Sequence, residues 1–329
     1  MTLATHSPEF PPVKVGILVL NYHHPKETLD CIRSLLDREP GTSRIIWIEN
    51  DSAHTWLEAR ALIEASRIPF MVLDPAVPTL PPEGVVGVIL NEENLGFAGG
   101  NNAGLRLLHQ LSVPFTWVLN NDTYLVEGNS ELLVRAAQAR PEIGLWGTSI
   151  AAEHGPGRSR LTHYMGGQIR MRDFNIVFVD APEHIEKEPL TFVSGCSCFS
   201  RLSVLAEVGF IPEDFFLYYE DPALTFEVRK HGYGISGVTE VRVNHLESLS
   251  TGRGSPLMDY YNQRNRWVII QRYFPGHMRK QVWRLLYSLQ RSLFRGRMDR
   301  IRIDILAYLD FRRNRLGRSS HALSRLGTR

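Results

Sequence analysis

Short apolar segments alternate with amphipathic helical segments through the first 140 residues, and this alternation limits how the chain can fold. A helix is predicted after Pro25, because Leu29, Ile32 and Leu35 recur at helical spacing. Strands that alternate with helices build βαβ units and a parallel sheet. The sequence therefore predicts an α/β fold with a mainly parallel central sheet and flanking helices. The predicted strands are residues 13–20, 44–48, 70–73, 85–90 and 115–119. Further along the chain, residues 191–200 are predicted to form one buried strand and residues 235–243 a strand pair.

Polar side chains follow several of these predicted strands, at the point where each strand ends. Asn21 and Tyr22 follow the first strand, and Glu49 and Asn50 follow the second. Asn94 lies in the polar run after the fourth strand. In an open α/β sheet, ligands bind outside the carboxyl ends of the strands. This layout is typical of a nucleotide-binding domain.

Asp122 follows the fifth predicted strand, directly after Asn120 and Asn121. Mg²⁺ in proteins typically uses one or two carboxylates together with phosphate oxygens. Asp122 is therefore a candidate ligand for a divalent metal that carries the phosphates of a substrate. By itself the stretch is equally consistent with a turn, because Asn and Asp are common turn residues.

Two later positions supply further candidate groups. Glu220 and Asp221 precede Pro222 at a predicted helix start, where the helix dipole favours carboxylates and one of them could act as a general base. His245 follows a predicted strand and is a candidate second metal ligand, since imidazole nitrogen is compatible with Mn²⁺ or Mg²⁺. An ordinary helix start and a structural histidine are the alternative interpretations of these positions.

Several function classes are a poor fit to the sequence. The first strand leads into Asn21-Tyr22-His23-His24 rather than a glycine-rich dinucleotide loop, and no Gly-Lys-Ser/Thr phosphate loop is found. No nucleic-acid-binding motif accompanies the arginines, so we expect no nucleic-acid partner. The sequence shows no signal peptide and no run of about 18 apolar residues, which leads us to expect a cytoplasmic protein.

The C-terminal segment is strongly basic. Residues 276–329 contain 14 Lys or Arg and three Asp, a net charge of +11, whereas the rest of the chain carries −9. One helical face of this segment collects Val282, Leu285, Leu286, Leu289 and Leu293. A basic amphipathic helix often lies on an anionic membrane surface, here the inner face of the cytoplasmic membrane. Alternatively, the apolar face packs on the catalytic domain or on a second subunit in a homodimer.

Six ordered motifs together resemble glycosyltransferase family 2, and within it the rhamnosyltransferase-like branch of bacterial surface-polysaccharide enzymes. The resemblance spans about residues 13–317, almost the whole chain. It implies a GT-A fold and inverting transfer of a sugar, with L-rhamnose as the best guess, from a nucleotide-diphosphate donor. The acceptor would be a hydroxyl of a polysaccharide or a lipid-linked glycan. The motifs are residues 19–22, 49–52, 94–104, 119–122, 216–221 and 261–265.

The resemblance also assigns roles to individual residues. Asp122 and His245 would bind Mg²⁺ or Mn²⁺, with Asn120 in place of the first Asp of the family's metal motif. Asp221, with Glu220 beside it, would be the catalytic base. The nucleotide and its sugar would be bound by Asn21, Tyr22, Glu49, Asn50, Asn94, Gly96, Phe97, Asn102 and Asn121.

The chain divides on this basis into four predicted segments. Residues 1–12 form a flexible arm, 13–142 a nucleotide-sugar-binding half, 143–256 an acceptor-side half with the base, and 257–329 a basic helical extension. Two other functions remain open. One is a non-catalytic nucleotide-sugar-binding subunit. The other is a sugar nucleotidyltransferase, although such enzymes usually carry a glycine-rich, Lys- or Arg-containing loop after the first strand.

Overall fold

The structure is a computed structural model, and it describes residues 13–51, 53–74, 76–152, 162–246, 255–320 and 322. The predicted N-terminal arm, residues 1–12, lies outside the described residues. The first half of the chain contains β1 (Val15–Asn21), α1 (Pro25–Leu36), β2 (Ser43–Glu49), α2 (Ala53–Ser66), β3 (Phe70–Val72), β4 (Val86–Leu90), α3 (Gly96–Gln110), β5 (Phe115–Asn120), β6 (Thr123–Glu127) and α4 (Ser130–Ala139).

The second half adds strands to the same sheet and ends in three long helices. Its elements are β7 (Ile143–Ala152), β8 (Thr162–Tyr164), β9 (Gly166–Ile169), β10 (Ile176–Val179), α5 (Pro182–Lys187), β11 (Thr191–Val193), β12 (Ser197–Arg201), α6 (Leu202–Glu207), α7 (Glu220–Lys230), β13 (Gly234–His245), α8 (Pro256–Tyr273), α9 (Met278–Phe294) and α10 (Met298–Arg312). Short 3-10 turns occupy Glu213–Phe215 and Pro275–His277.

The central sheet has the order β3-β4-β2-β1-β5-β12-β7-β13-β6, with β8 paired to β7. All strands from β3 to β5 in this order are parallel, whereas β12 and β6 run antiparallel to their neighbours. The predicted mainly parallel α/β fold is therefore confirmed. The chain leaves β1 in one direction toward β2 and later returns on its other side as β5. The crevice at such a reversal is where open α/β sheets bind ligands.

Alternating side chains of the strands bury two apolar layers, one on each face of the sheet. Ile17 of β1 and Trp47 of β2 pack with α1, α2 and α4, whereas Leu18 and Ile46 pack with α3, α6 and α7. Complete burial of one such side chain stabilises the fold by about 1.5 to 3 kcal/mol. The strands are buried on both sides, which explains their nearly continuous apolar sequences.

Two sequence-based expectations about strands are wrong in detail. Residues 191–200, predicted as one strand, form β11 and β12, which belong to different sheets because the chain turns at Ser194–Cys196. The strand pair expected near residues 235–243 is the single long strand β13, and its register against β7 shifts between Val238 and Arg242. A bulge of this kind bends a strand, and periodicity does not reveal it.

Helices α8 and α10 pack on the rest of the fold through apolar side chains that include Trp267, Ile303 and Phe311. Helix α9 is oriented differently. Its buried residues are Gln281 and Ser292, while Trp283 and Phe294 are 72% and 82% exposed. No helix in the described part of the chain combines the length and the apolar character that crossing a bilayer requires.

Candidate active site

Three neighbouring parallel strands bring the predicted donor-side residues together at one edge of the sheet. Asn21 ends β1, Glu49 ends β2 and Asn120 ends β5. The Asn21 amide donates to Glu49 Oε2 at 2.7 Å, and the Asn121 amide donates to Thr28 Oγ1 at 3.0 Å. The polar ends of the strands therefore form one hydrogen-bonded cluster.

Glu49 lies beneath this cluster rather than at its surface. Its side chain is 1% exposed, and Oε2 also accepts a hydrogen bond from the indole of Trp47 at 3.1 Å. Burial raises the pKa of Glu49, although the hydrogen bonds from Asn21 and Trp47 oppose this shift. The geometry gives Glu49 a role in holding Asn21, and its direct contact with a nucleotide stays a prediction, as does that of the half-buried Tyr22.

The glycine-rich loop before α3 is held by asparagines. The Asn50 amide donates to the Gly96 carbonyl at 3.0 Å, and the Gly96 N–H donates to Asn94 Oδ1 at 2.8 Å. Gly96 has φ +73°, and a Cβ there would lie 2.3 Å from the Phe216 carbonyl oxygen. The next N–H, of Phe97, donates to that same oxygen at 2.8 Å. This loop therefore contacts the segment that precedes Asp221.

Asn102 is fully buried, and its side chain bonds within the protein. Its amide donates to the Ile211 carbonyl and to Glu213, both at 2.8 Å, and its oxygen accepts the Ile211 N–H at 3.1 Å. These bonds connect α3 to residues 211–213. The predicted contact of Asn102 with donor sugar stays a prediction, whereas its structural role is evident.

Asp122 and His245 meet at the end of β5. Asp122 Oδ1 lies 3.2 Å from His245 Nε2, and both side chains are largely buried. The Tyr164 hydroxyl lies 3.0 Å from Nδ1 on the other side of the imidazole. Burial opposes the charged form of His245, but Cys196 and Asp122 outweigh it and raise the pKa of His245 to about 11.

This pair fits a divalent cation that takes the place of the Nε2 proton of His245, because a metal-bound imidazole is neutral. Carboxylate oxygen and imidazole nitrogen are both ligands for Mn²⁺, and the contact of Tyr164 with Nδ1 leaves Nε2 facing Asp122. Within the described residues, no group of three or more His, Cys, Asp or Glu side chains is arranged to hold a metal. Two protein ligands would leave positions for phosphate oxygens, as is usual for substrate-bound Mg²⁺.

The predicted base lies at the start of α7. Asp221 Oδ2 accepts a hydrogen bond from the Gly195 N–H at 3.3 Å, while Glu220 is 7% exposed. Burial raises the pKa of both carboxyl groups, that of Asp221 to about 7. A carboxylate with a pKa near the working pH is well suited to accept a proton.

The segment before the base has an unusual backbone. Phe216, Tyr218 and Tyr219 have φ values of 62°, 67° and 72°, in the left-handed region that side chains rarely adopt. Such residues persist only where the surroundings fix them. Here Nδ2 of the buried Asn265, on α8, lies 2.7 to 2.8 Å from three carbonyl oxygens of the segment, and its two N–H groups are shared among them. These belong to Phe215, Leu217 and Tyr218.

Two family models match the chain, and each covers more than half of it. The model described as Glycosyl transferase family 2 matches residues 15–209, and the model described as Glycosyl transferase family group 2 matches residues 116–307. The chain belongs to glycosyltransferase family 2. The family predicted from the six motifs is therefore confirmed, while the rhamnosyltransferase-like branch stays a prediction. A comparison with curated protein sequences found no match.

Solved glycosyltransferases share the fold of this family 2 chain. The S. aureus TarS 1-349 structure with UDP-GlcNAc is 16% identical, with a TM-score of 0.50 over 92% of this chain and 81% of that chain. Mannosyltransferase PcManGT from Pyrobaculum calidifontis, with GDP-Man and Mn²⁺, is 11% identical, with a TM-score of 0.50 over 93% of this chain and 90% of PcManGT.

GalNAc-T7 with UDP, GalNAc and Mn²⁺ is 11% identical, with a TM-score of 0.55 over 89% of this chain and 55% of GalNAc-T7. The chain spans 66% of another TarS 1-349 structure and 40% of a longer TarS structure. At these identities the likeness establishes the fold, which is the predicted GT-A fold.

Several residues of this family 2 site were not found by sequence reasoning. Tyr164 reaches His245 because β8 pairs with β7, which in turn neighbours β13. Gly195 reaches Asp221 through its backbone N–H, and Thr28 joins Asn21 and Asn121 through its hydroxyl. No sequence pattern near these residues predicts these contacts. Asn265 lies in a motif that resembles the family, but its contacts with the base segment required the structure.

Proposed function

We propose that this chain transfers a sugar from a nucleotide-diphosphate donor to an acceptor hydroxyl with inversion at the anomeric carbon. The observation that carries the proposal is the half-buried Asp221, whose raised pKa lies near neutrality, on a family 2 frame that also holds Asp122 beside His245. Related structures carry such donors, UDP-GlcNAc in TarS and GDP-Man in PcManGT.

The proposed reaction is a single displacement. The acceptor oxygen attacks the anomeric carbon while its proton passes to a carboxylate oxygen of Asp221. The bond between the anomeric carbon and the diphosphate oxygen breaks, and its electron pair leaves with the nucleoside diphosphate. A positioned base of this kind contributes about 10² to 10⁴ in rate. Attack from the face opposite the leaving group inverts the configuration.

Asp122 and His245 would hold a divalent cation, Mg²⁺ or Mn²⁺. When bound, such a cation stabilises the negative charge that develops on a leaving diphosphate. Tyr164 would keep Nε2 of His245 directed at the ion through its contact with Nδ1. Mn²⁺ is present in the PcManGT and GalNAc-T7 structures.

The donor is tested by calorimetric titration of nucleotide sugars, with dTDP-L-rhamnose included, in the presence of Mn²⁺ or of a chelator. We expect one donor to bind in a metal-dependent manner to the wild type. Asp122→Ala removes the carboxylate ligand, so binding should weaken by at least about tenfold, the loss expected for a charge-assisted contact.

Asp180→Ala is the matched control, because Asp180 is exposed and lies outside the site. Equal binding by wild type and Asp122→Ala would contradict the metal assignment. Tight donor binding to the wild type without transfer to any acceptor would favour the alternative of a non-catalytic nucleotide-sugar-binding subunit. Release of pyrophosphate from a nucleoside triphosphate and a sugar phosphate would instead identify a nucleotidyltransferase.

We further propose that α9 lies on an anionic membrane surface, which places a lipid-linked glycan acceptor within reach. Five large apolar side chains of this helix are at least half exposed, a patch that monomeric proteins rarely leave to water. Arg279, Lys280, Arg291 and Arg295 flank it on the same helix or its end. The exposed side chains are Trp283, Leu286, Tyr287, Leu293 and Phe294.

Two substitutions on this surface test the membrane proposal. Trp283→Ser with Phe294→Ser should lower binding to phosphatidylglycerol vesicles at low salt by about tenfold or more, because two large apolar side chains no longer leave water. Co-sedimentation with vesicles measures the effect. Truncation after residue 275 would be a poorer test, since it would also remove α10 and its buried Ile303 and Phe311.

Leu57→Ser is the control, because Leu57 is 63% exposed on α2, away from the basic helices. If the double variant sediments with vesicles as the wild type does, α9 is not the contact. A second copy of the chain could also cover this face of α9, and light scattering on the wild type and the double variant tests this by measuring their oligomeric states. A wild-type dimer that the double variant disrupts would replace the membrane proposal.

A further inference from the structure

A groove of about 470 Å³ lies between α8, α9, α10 and the turn at residues 171–175. We call it the arginine groove, since Arg172, Arg266, Arg284, Arg291 and Arg300 line it. On α9 it is lined by Gln281, Arg284 and Arg291, and also by Tyr287 of the exposed apolar patch. It has no part in the donor-side cluster around Asn21 and Asp122.

The positive charge of the groove is only partly compensated. Arg300 pairs with Asp259 and Asp304, and Arg172 lies 3.7 Å from Asp173. Arg266, Arg284 and Arg291 form no ion pair with a carboxylate in the part of the chain that the structure describes. Burial and the nearby charge of Arg266 both lower the pKa of Arg284. Like charges held this close to one another favour an anion between them.

A buried polar side chain also faces the groove. Gln281 is 3% exposed and lines the groove one turn before Arg284. Among the described residues, its Oε1 has no hydrogen-bond partner. Buried amides are rarely left unsatisfied in folded proteins. Because Oε1 accepts hydrogen bonds, its partner would be a water molecule that accompanies an anion, or a hydroxyl group of the ligand, rather than a phosphate oxygen.

The groove is connected to the catalytic base. Arg266 Nε donates to the Tyr219 hydroxyl at 3.2 Å, and Tyr219 directly precedes Glu220 and Asp221. A ligand held by Arg266 would therefore lie on the base side of the enzyme, where the acceptor is expected, rather than on the donor side. The other face of α9 is the surface proposed to meet a membrane.

We propose that the arginine groove binds a phosphoryl or diphosphate group of the acceptor, so that the acceptor is a phosphate-linked glycan. The inference rests on the proposed function and specifies its acceptor. Guanidinium groups match phosphate oxygens in geometry and charge. The carboxylates of Asp173 and Asp304 also line the groove and offset part of its charge, and the remaining positive charge suits a phosphate group. Tyr287 belongs both to the groove and to the exposed apolar patch of α9, so a phosphate held in the groove would lie beside the proposed membrane contact.

Pyrophosphate and octyl diphosphate are the probes, titrated by calorimetry without divalent metal into the Asp122→Ala protein. The Asp122→Ala substitution removes the carboxylate of the donor site, so the pyrophosphate binding that remains is attributed to the arginine groove. Adding Arg284→Gln and Arg291→Gln should weaken pyrophosphate binding by about tenfold or more. Arg295→Gln with Arg297→Gln is the matched control, because it removes the same charge outside the groove and should bind pyrophosphate as the background does.

The outcomes separate the two proposals. Undiminished pyrophosphate binding after Arg284→Gln and Arg291→Gln, in protein whose circular dichroism matches the background, would overturn the groove proposal. The same pair of substitutions in otherwise wild-type protein should leave nucleotide-sugar binding intact, so failure of the groove does not imply failure of the donor site. Tighter binding of octyl diphosphate than of pyrophosphate would identify a lipid-linked phosphate, and equal binding a water-soluble one.

Discussion

Asp221→Asn is expected to lower the turnover rate by about 10² to 10⁴ while donor binding is retained. The amide keeps the size of the side chain and can still accept the Gly195 N–H, but it cannot take the acceptor proton. The substitution also removes a buried carboxylate whose charged form is disfavoured, so the fold should not lose stability. Single-turnover kinetics and donor calorimetry on the same protein measure the two effects.

The pH profile provides a second readout of this base. Because burial raises the pKa of Asp221 to about 7, the wild-type rate should fall as pH decreases below 7, where the carboxylate becomes protonated. Asp180→Asn is the control and should retain both the rate and the profile, since Asp180 is exposed and outside the site. A normal rate in Asp221→Asn would remove the base assignment, and Glu220→Gln would then be the next variant to measure.

Asn265→Ala is expected to lower both stability and turnover. It removes the two N–H donors that are shared among three carbonyl oxygens of the segment before Asp221. At about 1 kcal/mol for each donor, the expected loss is about 2 kcal/mol in the free energy of unfolding. The left-handed residues Phe216, Tyr218 and Tyr219 lose the contacts that fix them. Denaturant titration gives the stability, and the turnover rate at saturating donor gives the effect on the base.

Asn262→Ala provides the matched control, because Asn262 lies on the same helix and donates only to the Met258 carbonyl of its own helix. It should change stability by less than about 1 kcal/mol. If Asn265→Ala lowers stability but retains full turnover at a temperature where it remains folded, Asn265 supports the fold without positioning Asp221. Loss of turnover in the folded protein, with donor affinity unchanged, is the result expected of a positioning residue.

The sequence predicts the strand ends at which the donor-side candidates lie, because this information is local. Each parallel strand ends in polar residues, and adjacent parallel strands necessarily bring Asn21, Glu49 and Asn120 to one edge. How deeply each side chain is buried is not local information. Apart from Trp47, the residues that bury Glu49 and Asn102 are distant in the sequence. The sequence alone therefore could not distinguish their predicted nucleotide contacts from structural roles.

The base side depends on contacts between distant segments. Nothing near residue 220 in the sequence indicates that α8 supplies the amide that holds the preceding loop. The apolar periodicity of α9 also did not predict which of its faces is buried. The spacing is that of a helix packed through its apolar side chains, yet the buried residues are Gln281 and Ser292. In α10, Ile305 and Leu309 are at helical spacing but are 42% and 38% exposed, whereas Ile303 and Leu306 are buried. Neighbouring elements, rather than periodicity, decide which face of these helices is covered.

The hydrogen bond from Phe97 to Phe216 joins the loop expected to contact the donor to the loop that carries the base. The two loops are in direct contact at Gly96, where a Cβ would lie only 2.3 Å from the Phe216 carbonyl oxygen. Two loops in such contact cannot be displaced independently, so the affinities for the two substrates are thermodynamically linked, and each must change the other by the same factor. Whichever substrate binds first therefore alters the affinity for the second whenever it shifts this contact.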